Sequence, residues 1–145
     1  MVDVTGKPEV YREAVARGRI RLRRETVERI RVGEVRKGDV LTVARVAAVQ
    51  AVKDTPRSIL LCHPIRVTSV NVDFSLNDDS IEVRVCVKAI AQTGVEMEAL
   101  NGVAAALLNI WDMVKYLEKD ESGSYPHTRI ECIAVERKVK SVVDG

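Results

Sequence analysis

From Ser80 to Gln92 the chain reads SIEVRVCVKAIAQ, in which Ile81, Val83, Val85 and Val87 alternate with Glu82, Arg84 and Lys88. A period of two places the first set on one face of a β-strand and the second on the other. The preceding run, IRVTSVNVDFSL, is also rich in β-branched residues, and the NDD between the two predicts a hairpin. RIRLRR sets Ile20 and Leu22 between arginines, as a half-exposed strand does, and TRIECIAVERKVK predicts a last strand with a less regular alternation.

Other segments carry a helical period. KGDVLTVARVAAVQAVKDTP has an apolar body, Asp39 as its N-cap and Pro56 at its end. ETVERIRVG predicts a short amphipathic helix closed by Gly33. KPEVYREAVARG predicts another, with Pro8 in its first turn and Gly18 at its end. TGVEMEALNGVAAALLNIWDMVK opens a long helix expected to run to about Glu121, followed by the loop ESGSYPH. The order is β-α-β-β-α-β with extra short N-terminal helices. That is the ferredoxin-like α+β pattern, an antiparallel sheet with helices on one face. One domain over residues 1–145 is expected. The second sheet face, lined partly by Val, Thr and Ser, is expected to be covered by another subunit.

The long helix poses a problem. Val103 to Ile110 is apolar apart from Asn109, so the helix should be buried on most of its circumference. Yet it carries Glu96, Glu98, Asp112 and Lys115, and an unpaired buried charge is costly. Glu98 and Asp112, 14 residues apart, differ by about 40° around the axis and lie roughly 21 Å apart along it. Lys115 is one turn beyond Asp112 and can pair with it. The helix thus presents two charged stations that one small ligand cannot bridge within a single copy. A site completed by a neighbouring subunit is one consequence. The other reading is a surface ion pair at one end and glutamates favoured by the helix dipole at the other.

Lys53 ends an otherwise mainly apolar helix, Lys37 precedes it in RKGDV, and His63 lies in the apolar run ILLCHPI. A histidine there serves either as a hydrogen-bonded core residue or as a ligand group. No glycine-rich phosphate loop, HExxH or GxSxG is present, so phosphate would have to be held by scattered cations. No metal-ligand set is expected.

Composition narrows the classes. The chain is 46% hydrophobic and 30% charged, with a net charge of +2, which gives no global drive toward nucleic acid or membrane. Cys62, Cys86 and Cys132 are odd in number and lack CxxC spacing, against a disulfide framework or zinc knuckle. Cys86 and Cys132 are expected as small buried hydrophobes. No apolar run approaches the roughly 20 residues of a membrane span, and MVDVTGKPEV lacks signal-peptide features, so a reducing cytoplasm is expected. Arg17 to Lys37 holds nine Lys or Arg against three Glu, which raises a basic RNA-binding module as a rival. An aromatic content of 3%, with Phe74 alone on the expected strands, argues against it, since such sheets stack bases on aromatics.

Taken together, MVDVTGK, KGDVLTVARVAAVQAVKDT, LLCHP, TGVEMEAL and WDMVK resemble the MoaC family, the cyclic pyranopterin monophosphate synthases of molybdenum cofactor biosynthesis, from Met1 to about Lys119. The resemblance implies a lyase that converts (8S)-3′,8-cyclo-7,8-dihydroguanosine 5′-triphosphate to cyclic pyranopterin monophosphate and diphosphate. It further implies a homohexamer, a trimer of dimers, with sites at subunit interfaces. Matched motif by motif, it puts catalytic roles on Lys37, Asp112 and Lys115. Substrate binding falls to Arg12, Lys53, Leu61, Cys62, His63, Glu96, Met97 and Glu98. No cofactor is implied, and assistance by Mg²⁺ is left open. The chain departs from the family in its tail, VERKVKSVVDG, which lacks the usual glycines; Lys138 or Arg137 stands where the tail's lysine falls. Trp111 replaces a usual Tyr. A catalytically silent paralogue serving as a binding or assembly subunit is the alternative; loss of Lys37, Asp112 or Lys115 would favour it, and all three are present.

Overall fold

The computed structural model describes residues 1–142; the last three residues of the domain expected over 1–145 lie outside the described residues. Four strands, β1 (Val10–Arg21), β2 (Val67–Leu76), β3 (Ser80–Ala91) and β4 (Arg129–Ser141), form one sheet in the order β2-β3-β1-β4. Every neighbouring pair is antiparallel. Helices α1 (Arg24–Val32), α2 (Val40–Lys53) and the short α3 (Thr55–Ser58) lie between β1 and β2, and α4 (Glu96–Glu118) joins β3 to β4. This is the expected α+β, ferredoxin-like arrangement.

One expected element is wrong. The segment from Pro8 to Gly18 is not a helix; from Val10 onward it is the first half of β1. Its alanines and glutamate favour a helix locally, but β1 is a central strand, paired with β3 over its whole length and with β4 on the other edge. Two ladders of backbone hydrogen bonds override a weak propensity. Gly18 therefore ends no helix. A Cβ there would lie 2.8 Å from Val103 Cγ1 and 2.9 Å from Ile133 Cγ1, so its bare backbone lets α4 settle onto the sheet.

The other elements follow their sequence signals. Asp39 caps α2 by accepting from the Thr42 amide (3.1 Å). Gly33 closes α1 in the left-handed conformation, and Pro56 ends α2 by starting α3. Ile81, Val83, Val85 and Val87 are fully buried against Val103, Ala106, Leu107 and Ile110 of α4 and Ala44, Ala48 and Val52 of α2. Gly102 brings the two helices together, since a Cβ there would meet Val52 Cγ2 at 2.8 Å. α4 ends at Glu118, short of the expected Glu121.

The sheet face away from the helices carries Val15 as well as serines, in line with the residue types expected there. Beside Ser69 and Ser75 it carries an ionic grid: Glu131 takes Arg19, Arg21 and Arg129, Glu136 takes Arg84, and Glu13 takes Arg137. Cys86 is only half-buried on that face, its thiol donating to Glu13 (3.4 Å). Cys132 is exposed, contrary to expectation, because a bulge sets Cys132 and Ile133 opposite Gly18 and turns Cys132 to φ 59°. Of the nine cations between Arg17 and Lys37, five (Arg19, Arg21, Arg24, Arg31 and Lys37) are paired with carboxylates, which weakens a nucleic-acid reading. Phe74 packs toward the core under Arg45, leaving it unsuited to base stacking.

Candidate active site

The sequence-predicted residues gather into two clusters at opposite ends of α4. At the N-terminal end, Glu98 is 1% exposed. Its Oε1 accepts from the Cys62 thiol (3.7 Å), while Oε2 is buried without a protein partner. Burial pushes the Glu98 carboxyl above the usual range; the same burial and the carboxylate beside it raise the Cys62 thiol. Glu96, two residues earlier, pairs with Lys138 of β4 (2.8 Å). Burial works against its charge, but the bond to Lys138 and the nearby Arg12 outweigh it, so this carboxyl sits below its ordinary value. One helix start thus holds two glutamates pushed in opposite directions, the pattern that separates proton-binding from charge-binding roles.

Arg12 projects from β1 to this end, donating to the Ala91 and Gln92 carbonyls at 3.4 and 3.2 Å. A cavity of about 680 Å³ opens between Leu61, Cys62, His63, Glu96, Met97 and the N-terminal segment, including Val2, Val4 and Lys7. His63, Val4 and Thr93 also border a second cavity of about 630 Å³ that contains Arg66. The His63 Nε2 lies 2.6 Å from the Val2 carbonyl. Leu61 and Met97 are 74% and 42% exposed and present apolar surface to this cavity.

At the C-terminal end, Asp112 accepts from Lys115 through Oδ1 and from Lys37 through Oδ2, each at 3.0 Å. The side chains are 42–59% exposed, so this triad sits on open surface rather than in a cleft. Hydrogen bonds from Lys115 and then Lys37 hold the Asp112 carboxyl below its ordinary value. Asp112 in turn raises Lys115. A lysine acting as a base needs a lowered value, and in the single chain the Asp112 carboxylate pushes Lys115 the other way, toward its charged form.

Lys53 joins neither cluster: it is exposed at the end of α2 and makes no hydrogen bond or ion pair among the described residues. Among those residues no group of three or more His, Cys, Asp or Glu is placed to hold a metal ion.

The MoaC family model matches residues 1–141. The chain belongs to the MoaC family. It is 61% identical over 140 residues to a protein of Aeropyrum pernix named probable cyclic pyranopterin monophosphate synthase, covering 97% of this chain and 96% of that one. Relatives of the same name in Methanoregula boonei and Thermococcus kodakarensis are 59% and 56% identical, each over 97% of this chain and 90% of theirs. The MoaC match thus extends beyond Lys119 and into the divergent tail, as far as residue 141.

The structure of this MoaC-family chain also separates Lys138 from Arg137. Strand alternation sends Lys138 to Glu96 and Arg137 to Glu13 on the opposite face. Lys7, in a motif that carried the resemblance but no assigned role, is the cavity-lining cation that the spacing of motifs did not single out.

Proposed function

We propose that this chain is a cyclic pyranopterin monophosphate synthase, a lyase that converts (8S)-3′,8-cyclo-7,8-dihydroguanosine 5′-triphosphate to cyclic pyranopterin monophosphate and diphosphate. Identity of 61% across nearly the whole chain to a relative bearing that name carries the reading.

The cluster around Glu98 suits the binding of such a substrate, and the Lys37–Asp112–Lys115 triad suits its proton transfers. Leu61, Cys62, His63, Met97 and Glu98 hold the purine-derived ring. The unpaired Glu98 oxygen is free to accept from a ring donor, since a buried oxygen without a partner favours a ligand that supplies one. Arg12, Lys53 and the cations around the cavity hold the phosphates. Diphosphate leaves when a ribose hydroxyl attacks the α-phosphorus, and cations offset the charge that grows on the departing oxygen. Lys37, Asp112 and Lys115 carry the proton transfers of ring opening and reclosure, with Lys115 as the donor that Asp112 keeps charged.

The clusters lie about 21 Å apart along one helix, too far for one ligand in one copy. We assign each complete site to two neighbouring chains of a homohexamer, a trimer of dimers. Exposed Val43, Val46, Leu108, Ile133 and Val135 are apolar surface available for such contacts. The chain acts as a single domain on a small-molecule nucleotide, in the cytoplasm; no described helix is long and apolar enough to cross a membrane.

The test is turnover of the cyclic triphosphate by wild type, Lys37→Ala, Asp112→Ala and Lys115→Ala, with particle mass followed by light scattering. Large losses in all three variants at unchanged hexamer mass are expected. Near-normal rates in the lysine variants would refute the catalytic assignment, and a monomeric active enzyme would refute the shared site.

A further inference from the structure

Lys37 reaches Asp112 from the loop between α1 and α2, a connection with no regular structure of its own. Its flexible side chain is 43% exposed. A lysine so placed samples many rotamers unless its backbone is held, and ordering it carries an entropic cost. The residue before it is held in two ways. The Arg36 amide donates to the Tyr116 hydroxyl at 2.8 Å, and the Arg36 guanidinium lies 4.5 Å from the centre of the Tyr116 ring. Tyr116 is four residues beyond Asp112 on α4, so both project from one helix face, a turn apart. Consecutive loop residues, Arg36 and Lys37, are thus gripped by consecutive turns of one helix. Buried Val35 anchors the loop on the near side, and Gly38, at φ 117°, donates to the Val35 carbonyl and turns the chain into α2.

We propose that Tyr116 is a positioning residue for Lys37: its hydroxyl and ring hold the Arg36–Lys37 turn against α4 so that the Lys37 ammonium meets Asp112. The consequence for the reaction rests on the catalytic reading of Lys37 given above. The hydroxyl is the specific element, because phenylalanine would keep the cation–π contact and lose only the acceptor.

The test follows the Asp112 carboxyl by ¹³C NMR in aspartate-labelled wild type, Tyr116→Phe and Lys37→Ala, beside turnover of the cyclic triphosphate. Asp112 is faced by Lys115 from its own helix and by Lys37 from the loop, so loss of the Lys37 contact leaves Lys115 alone to hold its midpoint down. In Tyr116→Phe the Asp112 midpoint is expected to rise toward that of Lys37→Ala. The kcat is expected to fall roughly three- to tenfold, the equivalent of one ordinary hydrogen bond, with KM within about twofold. An Asp112 midpoint unchanged in Tyr116→Phe overturns the clamp. So does a moved midpoint with unaltered kcat when Lys37→Ala is inactive. If both variants move the midpoint while Lys37→Ala turns over normally, the clamp stands and the catalytic reading of Lys37 falls.

Discussion

Lys37 and Asp112 are 75 positions apart in the chain and 3.0 Å apart in space, the ammonium of one on the carboxylate of the other. Lys115 completes the triad from one turn away on the same helix. The sequence spacing made the Asp112–Lys115 pair legible, because i and i+3 on a helix are neighbours whatever the fold. The Lys37 contact depends on how the loop after α1 packs on α4, which no local spacing encodes.

The triad sets a pH dependence. Asp112 is held below its ordinary 3.8 by the two lysines, and Lys115 above its ordinary 10.5 by Asp112. The ionised carboxylate is present above its folded midpoint and is lost as pH falls through it. The Asp112 midpoint is therefore expected below its ordinary 3.8 in wild type and should move upward in Lys115→Ala. Titration of the Asp112 carboxyl by ¹³C NMR in the two proteins checks this; a midpoint in the same place would deny that Lys115 holds Asp112.

Glu98 behaves in the opposite sense. Its carboxyl is raised by burial, so the folded state holds the proton more tightly than the unfolded state. The resulting penalty is absent below the ordinary 4.5 and grows as pH rises from there through the folded midpoint. Glu98→Gln is expected to raise Tm at pH 7 by a few degrees, with the gain vanishing near pH 4, while weakening substrate binding. Thermal unfolding at the two pH values measures the first effect, and KM the second.

Glu118 was invisible as a structural residue in the sequence, where it is one more charge near a helix end. It is fully buried and accepts from the Arg23 amide, Thr26 Oγ1 and Thr128 Oγ1, joining the starts of α1 and β4 to the end of α4. Glu118→Ala leaves the buried Thr26 and Thr128 hydroxyls and the part-buried Arg23 amide without their acceptor and should cost about 3 kcal/mol. Thr26→Val should cost about 1 to 2 kcal/mol. Urea unfolding distinguishes these values from the near-neutral result expected of a surface glutamate.

Gly18 tests the packing of β1 under α4. Gly18→Ala places a methyl against Val103 and Ile133 and is expected to destabilise by about 1 to 3 kcal/mol. Adding Val103→Ala should recover part of that loss, a coupling that a double-mutant cycle reads directly. Strict additivity would show that the two positions do not touch.

Sequence reading recovered α1, α2, α4 and the β2–β3 hairpin because each carries its own period, cap or turn signal. It failed at Val10–Gly18, where Glu13, Ala14 and Ala16 satisfy a helix locally and only pairing with β3 and β4 decides otherwise. The cluster around Glu98 was legible through its motifs. The pairing of Lys138 rather than Arg137 with Glu96 was not, because the β4 bulge breaks the alternation that would have told the two apart.

Glu96 and Glu118 bound a single unbroken helix, with acidic residues of both clusters mounted on it. Such a rod works as a ruler. Inserting one residue midway would swing one end by about 100° relative to the other and lengthen the span by about 1.5 Å. Side chains at either end can therefore vary with little effect on the other, whereas the residue count between them cannot.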